Sequence, residues 1–244
     1  MNQTATMQKL EEMRMIGFTR AYKDLCETKT KQEFTVDEII SHLVQAEWDD
    51  RYNRRLQRLI SKARFRYQAN MEQVDYIEKR NLDKTQMLRL STCEWLNKKQ
   101  NIIITGPTGL GKSYLASALG HQACQQGKKV IYRKSSKLFD EMKIAKADGS
   151  YIKEVNKIEK HDLLILDDFG LNHLDNNQRL LLLELLEDRH GKRSTIITSQ
   201  LPVNEWYEII GEPTIADAIL DRLVHSSHRI ELDGPTMRKK YKND

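Results

Sequence analysis

The chain has 244 residues, of which 31% are charged and 39% hydrophobic. This length allows one large domain or a compact domain with an appendage, and the composition supports a packed core and excludes wholesale disorder. The longest apolar runs, Leu163–Leu166 and Leu180–Leu183, are far shorter than the ~20 residues that span a bilayer. The N-terminus carries no secretory segment, and the three cysteines are too widely spaced for a disulfide framework or a local zinc site. We therefore expect a cytoplasmic protein with no membrane partner.

The first hundred residues are predicted to be helical, because Gly17 is the only glycine before residue 106 and no proline precedes Pro107. One helix is expected from about Met7 to Glu27. A second begins at a capping box over Thr35–Glu38. Its predicted apolar face consists of Val36, Ile39, Ile40, Leu43 and Val44. We predict a small all-helical N-terminal domain over residues 1–68 and a helical connector over residues 69–100.

The net charge of +5 is concentrated between Arg51 and Tyr67, a stretch with seven basic residues, three interleaved aromatic residues and no acidic residue. A basic stripe on a helix suits the phosphate backbone of DNA and gives salt-dependent binding. A solvated helix face is the alternative, but the run itself contains no acid for pairing along the helix. The predicted DNA-binding residues are Arg51, Arg54, Arg55, Arg58, Lys62 and Arg64.

From residue 101 onward, short aliphatic runs alternate with amphipathic segments. The runs are Ile102–Thr105, Val130–Arg133, Leu163–Asp167, Thr195–Ser199 and His228–Leu232. Strands separated by helices of about ten or more residues predict a parallel, doubly wound α/β sheet. We therefore assign residues 101–244 to one α/β core.

A phosphate-binding loop with the pattern GxxxxGK[ST] lies at Gly106–Ser113, between the first strand and a helical segment. Glycines let the backbone N–H groups turn towards phosphate oxygens at a helix N-terminus. Lys112 is expected to reach the β- and γ-phosphates of ATP, and Ser113 to ligate Mg²⁺. The predicted nucleotide-binding residues are Gly106, Pro107, Thr108, Gly109, Leu110, Gly111, Lys112, Ser113 and Tyr114.

Two carboxylates follow the aliphatic strand at Leu163–Leu166 and are expected at the same sheet edge as the phosphate loop. Asp167 is the predicted magnesium partner, and Asp168 the group that polarises the attacking water. Ser199, with Thr198 and Gln200 beside it, is predicted to sense the γ-phosphate or orient water. The alternative for these three is a polar strand end that caps a turn.

Three arginines in the core have open roles. Arg222 either serves a neighbouring subunit's nucleotide or pairs with Asp217 or Asp221 on a solvated face. Arg189 is predicted to be structural. Arg238 either touches phosphate or belongs to the basic tail.

Four stretches together resemble the IstB-like branch of the DnaC group of AAA+ ATPases, over roughly residues 5–240. They are Gly106–Ser113, Leu115–His121, Asp162–Gly170, and Ile196–Gln200 with Trp206. The resemblance implies a P-loop AAA+ core with a five-stranded parallel sheet, ATP-driven self-association, a grip on duplex DNA and an IstA-like transposase as partner. It also implies that Arg222 is the trans-acting arginine finger. Only about a dozen residues follow the predicted fifth strand, so little or no helical lid is expected.

The function expected from these features is that of an ATP-dependent, DNA-binding helper of DNA transposition. ATP would drive assembly on target DNA and activation of the transposase, and hydrolysis would drive disassembly. A replicative helicase loader of the DnaC/DnaI type is the first alternative, in which residues 1–70 would bind a helicase instead of DNA. A non-hydrolysing assembly module is the second, but the intact Lys112, Ser113, Asp167 and Asp168 argue against it.

Overall fold

The computed structural model describes residues 3–27, 34–76 and 79–237. The chain divides into two compact units, Met1–Arg58 and Leu59–Asp244. This division lies earlier than the predicted boundary at residue 68, and residues 59–100 belong to the same unit as the α/β core. None of the helices in the described ranges is both long and apolar enough to cross a membrane.

The first unit is helical, as predicted. Its helices are α1 (Gln3–Glu12), α2 (Ile16–Glu27) and α3 (Val36–Ala63), which continues into the second unit. The single helix expected from Met7 to Glu27 is broken in two, since Arg14 adopts a left-handed backbone with φ of +57°. The capping box is confirmed: the Thr35 N–H donates to Glu38 Oε2 at 2.8 Å, and the Glu38 N–H donates to Thr35 Oγ1 at 3.3 Å.

Helix α2 begins against α3 at a point where only glycine leaves room. A Cβ atom on Gly17 would lie 2.3 Å from the carbonyl oxygen of Ala46. Beside this crossing, the buried carboxylate of Glu47 accepts a hydrogen bond from the Phe18 N–H at 3.1 Å. Burial by itself raises the pKa of Glu47, but the hydrogen bonds from Arg51 and from the start of α2 lower it overall. Glu47 therefore caps α2 as an anion.

The buried face of α3 differs from the predicted apolar face. Leu43 and Glu47 are buried and Asp50 is half-buried. The other members of the predicted face are exposed: Val36, Ile39, Ile40 and Val44. Hydrophobic periodicity missed the packed face because acidic residues occupy two of its positions.

The second unit contains a five-stranded, entirely parallel sheet with the strand order β2-β3-β4-β1-β5. The strands are β1 (Asn101–Thr105), β2 (Val130–Lys134), β3 (Leu163–Phe169), β4 (Ser194–Ser199) and β5 (Ser227–Glu231). All five predicted strands are confirmed. After the end of α3, the described residues between 64 and 100 add only short helical segments. These are a 3₁₀ turn at Met71–Gln73, α4 (Lys84–Ser91) and α5 (Glu94–Asn97).

Helices cover both faces of the sheet. The remaining ones are α6 (Lys112–Gln125), α7 (Ser135–Asp148), α8 (Tyr151–Glu159), α9 (Asn176–Arg189), α10 (Trp206–Ile210) and α11 (Pro213–Val224). Alternate strand residues, such as Ile103, Leu164 and Ile197, join the core formed with α7 to α11. Ile165 points to the other face, where it packs against α6. Because all strands are parallel, the polar residues at their carboxyl ends meet at one edge, beside the start of α6.

Candidate functional site

The loop between β1 and α6 has a backbone that only glycine adopts readily at three positions. Gly106, Gly109 and Gly111 have φ values of +135°, +87° and +87°, in the region that disfavours side chains. A Cβ atom on Gly106 would also lie 2.2 Å from the carbonyl oxygen of Leu232. The loop thus brings backbone N–H groups to the N-terminus of α6, which is an arrangement that binds phosphate.

Lys112, the first residue of α6, turns its side chain into this loop. Its Nζ donates to the carbonyl oxygens of Gly106 at 2.6 Å and Pro107 at 2.9 Å, and the residue is buried. The ammonium therefore lies at the centre of the loop that the sequence predicted to hold phosphate.

Asp167, at the end of β3, is fully buried and accepts several hydrogen bonds. Its Oδ1 accepts from Ser113 Oγ at 2.7 Å and from Thr198 Oγ1 at 2.6 Å. Its Oδ2 accepts from the hydroxyl of Tyr132; burial, together with this hydrogen bond, raises the pKa of Tyr132, so the phenol remains a donor. Oxygen donors from a hydroxyl and a carboxylate, held side by side, suit Mg²⁺, which fits the pairing predicted for Ser113 and Asp167.

Asp168 lies at an irregularity in the pairing of β3 with β4. Its backbone is left-handed, with φ of +58°, a conformation that Asp tolerates better than most residues. The backbone N–H donates to Thr198 Oγ1 at 3.1 Å, while the carboxylate lies 3.4 Å from Lys134 Nζ. The bulge therefore turns this side chain towards the site at the point where β3 ends.

Arg66 belongs to the site, although its sequence position indicates only membership of the basic run between Arg51 and Tyr67. Its Nη1 lies 3.2 Å from Asp167 Oδ2 and 3.3 Å from Asp168 Oδ2. Its neighbours are held by α6: Phe65 packs at Gly120, and the Tyr67 ring lies 6.2 Å from that of Tyr114. No sequence motif predicts this contact, because the arginine and the carboxylates are about a hundred residues apart in the chain.

Arg80 braces the phosphate loop from the segment that the sequence predicted to be a connector. The residue is buried, and its guanidinium donates to the carbonyl oxygens of Leu110 and Asp75, each at 2.7 Å. From the opposite end of the unit, the Met237 N–H donates to Gly109 O at 3.0 Å. Arg238, the next residue, lies outside the described residues.

These residues surround a cavity of about 760 Å³, a volume that suits a small-molecule ligand. Its lining includes Arg66, Tyr67, Arg80, Thr108, Gly109, Gly111, Lys112, Ser113, Tyr114, Lys134, Asp168, Gln200 and Met237. Ser199 does not line it. Its Oγ donates to Phe169 O at 2.8 Å and accepts from the Leu201 N–H at 3.1 Å. Thr198 and Gln200 reach the site instead, and Ser199 caps the end of β4.

Arg222 does not line this cavity either. Its guanidinium donates to Glu187 Oε1 at 2.7 Å and to Ala218 O at 2.8 Å. Within the described residues its acidic partner is thus Glu187 of α9, and neither Asp217 nor Asp221. Arg189 is buried and donates to Ser194 O at 2.6 Å, a structural position of the kind the sequence predicted.

The basic run on α3 is partly neutralised by acids that precede it. Arg51 Nε lies 2.6 Å from Glu47 Oε1, and Arg54 Nε lies 2.6 Å from Asp50 Oδ2. The absence of acids inside the run was therefore misleading for Arg51 and Arg54. The other predicted DNA-binding residues are exposed and form no ion pair within the ranges 3–27, 34–76 and 79–237: Arg55, Arg58, Lys62 and Arg64.

Comparisons with known proteins agree with this geometry. Residues 8–244 match the family model described as IstB-like ATP binding protein. A protein of Sinorhizobium fredii, named as an insertion sequence ATP-binding protein, is 44% identical over 96% of this chain and 96% of its own length. A Pseudomonas fluorescens protein, named as an ATP-binding protein of an insertion sequence, is 39% identical over 81% of this chain and 86% of its own.

Solved structures show the same fold at low sequence identity. The crystal structure of the DnaC helicase loader has a TM-score of 0.54 and 18% identity, covering 68% of this chain and 98% of its own. AMPPCP-bound DnaA from Aquifex aeolicus has a TM-score of 0.57 and 19% identity, covering 73% of this chain and 54% of its own. The five-stranded α/β core therefore shares the fold of the corresponding parts of DnaC and DnaA.

Proposed function

Since the chain belongs to the family of IstB-like ATP-binding proteins, and is thus an AAA+ ATPase and a helper of insertion sequences, we propose that it binds duplex DNA in an ATP-dependent manner. In this proposal ATP drives self-association on target DNA, the assembly engages an IstA-like transposase, and hydrolysis drives disassembly. The observation that carries it is the meeting of Lys112, Ser113, Asp167 and Asp168 at one sheet edge.

The chain's own groups divide the work of the ATPase. The backbone of the loop and Lys112 bind the phosphates. Ser113 and Asp167 would hold Mg²⁺, which would offset the charge that develops on the transferred phosphoryl group. Thr198 donates to the Asp167 carboxylate and accepts from the Asp168 N–H, so it fixes the first carboxylate and the backbone of the second aspartate. Asp168 then accepts a proton from the attacking water or aligns it. The short reach of Asp predicts slow turnover.

Arg222 serves the site of a neighbouring subunit. Its guanidinium is half-buried, and its Glu187 partner is half exposed, so the ion pair stabilises the fold by only about 0.2–1 kcal/mol. An arginine released from so weak a pair at a subunit interface would offset transition-state charge in trans.

A mixing experiment tests this role. Arg222→Ala and Asp168→Asn are each expected to lower ATP turnover strongly when assayed alone. If the arginine acts in trans, mixing the two variants restores part of the turnover, because some interfaces then contain both an intact Arg222 and an intact Asp168. Failure of the mixture to exceed the average of the two variants would exclude a trans role.

The DNA-binding residues that we propose are Arg55, Arg58 and Lys62, at spacings of three and four along α3, which place them on one helix face. Each exposed cation that contacts a phosphate adds about 0.9 to the slope of log K against log salt concentration. Replacing all three with Gln should therefore lower that slope by about 2.7. Arg64, which directly follows the end of α3 at Ala63, adds to the same potential.

The matched control replaces Arg51 and Arg54 with Gln. Because these two are paired with Glu47 and Asp50, their loss should destabilise the first unit more than it changes the salt slope. Fluorescence anisotropy of a labelled duplex at several salt concentrations compares the two variants. Equal slopes for the triple variant and the wild type would refute the proposed surface.

A helicase loader, the alternative function, makes a different prediction in the same system. The full chain would capture a replicative helicase, and the triple variant would retain this interaction. The transposition helper instead predicts capture of the transposase on duplex DNA with ATP, and loss of that capture in the triple variant.

A further inference from the structure

We propose that Arg66 is a built-in counter-ion which competes with magnesium nucleotide for Asp167 and Asp168. Nucleotide binding would then release the segment Phe65–Tyr67 from the ATPase site.

The guanidinium of Arg66 bridges the two carboxylates of the site. Arg66 Nη1 lies within 3.3 Å of both carboxylates at once, and its side chain is 43% exposed. A guanidinium that bridges two acids occupies the charge position that a divalent cation requires. Since the two cations would repel each other and depend on the same two carboxylates, binding of one weakens binding of the other.

The carboxylates of Asp167 and Asp168 keep other partners when Arg66 leaves. Asp168 keeps Lys134, whose Nζ lies 3.4 Å from Oδ2. Asp167 keeps its hydrogen bonds from Ser113, Thr198 and Tyr132. Departure of Arg66 therefore leaves no buried carboxylate without a donor.

Phe65 and Tyr67, the neighbours of Arg66, would move with it. Phe65 fills the space that Gly120 leaves on α6: a Cβ at that position would lie 2.5 Å from Phe65 Cε1. Tyr67 lies beside Tyr114, which follows the phosphate loop. Phe65 thus rests on α6, Arg66 and Tyr67 line the nucleotide cavity, and α3 ends at Ala63, just before them. Any consequence for DNA binding by α3 rests on the proposed function, whereas competition at the carboxylates does not.

The experiment compares Arg66→Gln with Arg64→Gln in the full chain. Both substitutions remove one positive charge from the same segment, and Arg64 has no ion pair among the described residues. Affinity for a fluorescent ATP analogue is measured with Mg²⁺ and with EDTA. Competition predicts that Arg66→Gln binds the magnesium complex about two- to fivefold more tightly than wild type. It also predicts no such gain in EDTA, and no gain in affinity for the magnesium complex in Arg64→Gln, because the ion pairs with Asp167 and Asp168 are those of Arg66.

Hydrogen exchange supplies a second readout. In the wild type, the magnesium complex should speed exchange of the amides of residues 65–67. In Arg66→Gln the exchange of these amides should already be fast without nucleotide and should change little when the magnesium complex binds. An unchanged or weaker affinity of Arg66→Gln for the magnesium complex would overturn the proposal, since weaker binding means that Arg66 contacts the nucleotide itself. Slower exchange at residues 65–67 in the wild type would also overturn it.

Discussion

Replacing Gly120 with alanine tests whether Phe65 is held on α6. In an open helix interior, Gly→Ala stabilises a protein by about 1 kcal/mol. Here the new Cβ would lie 2.5 Å from Phe65 Cε1 and 2.8 Å from Ile165 Cδ1, well inside contact distance. Overpacking of this kind costs about 1–3 kcal/mol. We therefore expect a net loss of up to about 2 kcal/mol instead of a gain.

A double-mutant cycle isolates the contact with Phe65. In a Phe65→Ala background the added methyl group meets only Ile165, so Gly120→Ala should cost at least about 1 kcal/mol less there than in the wild type. Urea unfolding followed by the fluorescence of the buried Trp95 and Trp206 gives the four free energies. A gain of about 1 kcal/mol in both backgrounds would show that the segment after α3 does not occupy this groove.

The remaining predictions concern catalysis, thiol reactivity and pH. Asp168→Asn removes the group that accepts a proton from water, so ATP turnover should fall by about 100-fold or more. Because Asn also tolerates a left-handed backbone, ATP affinity should change little. A parallel loss of affinity, measured by nucleotide titration, would contradict this. Burial raises the pKa of Cys93 to about 11 and of Cys124 to about 12. A thiol reagent near pH 8 should therefore label only the exposed Cys26 in the folded protein. Labelling of all three cysteines before urea is added, detected by mass spectrometry, would disprove this prediction. Burial also lowers the pKa of three histidines: His121, His161 and His228. The unfolded chain therefore binds more protons than the folded one just below about pH 6.5, so these groups make stability fall as the pH falls. Replacing them with Gln should reduce the change in the urea midpoint between about pH 7.5 and pH 5.5. An unaltered dependence of the midpoint on pH would refute the assignment.

The sheet and the phosphate loop were predictable because their signals are local. Each strand is a short aliphatic run between turns, and the glycines of Gly106–Gly111 stand at fixed spacing. The pairing of Ser113 with Asp167 followed from the rule that the carboxyl ends of parallel strands share one edge.

Other features depend on contacts that leave no local pattern. Arg66 reaches the site from a segment that also contacts α6 through Phe65 at Gly120 and through Tyr67 at Tyr114. Ser199 has the residue type of a sensor, but its hydroxyl bonds to the backbone at Phe169. The acids Glu47 and Asp50 lie before the basic run, so a search limited to the run missed their pairing with it.

The residues between α3 and β1 were the least predictable. Lack of glycine and proline predicts a helical connector over 69–100, and its described residues contain short helices joined by irregular segments. Arg80 ties this segment to the phosphate loop through Leu110 and to the backbone of Asp75. Its role comes from tertiary contacts, which override helix propensity.

The dependence of DNA affinity on nucleotide tests the central claim most directly. Anisotropy of a labelled duplex is measured with a slowly hydrolysed ATP analogue, with ADP and without nucleotide, at low and high salt. We expect tight, salt-sensitive binding with the analogue and much weaker binding in the other two states. Equal affinity in all three states, at low and high salt alike, would contradict it.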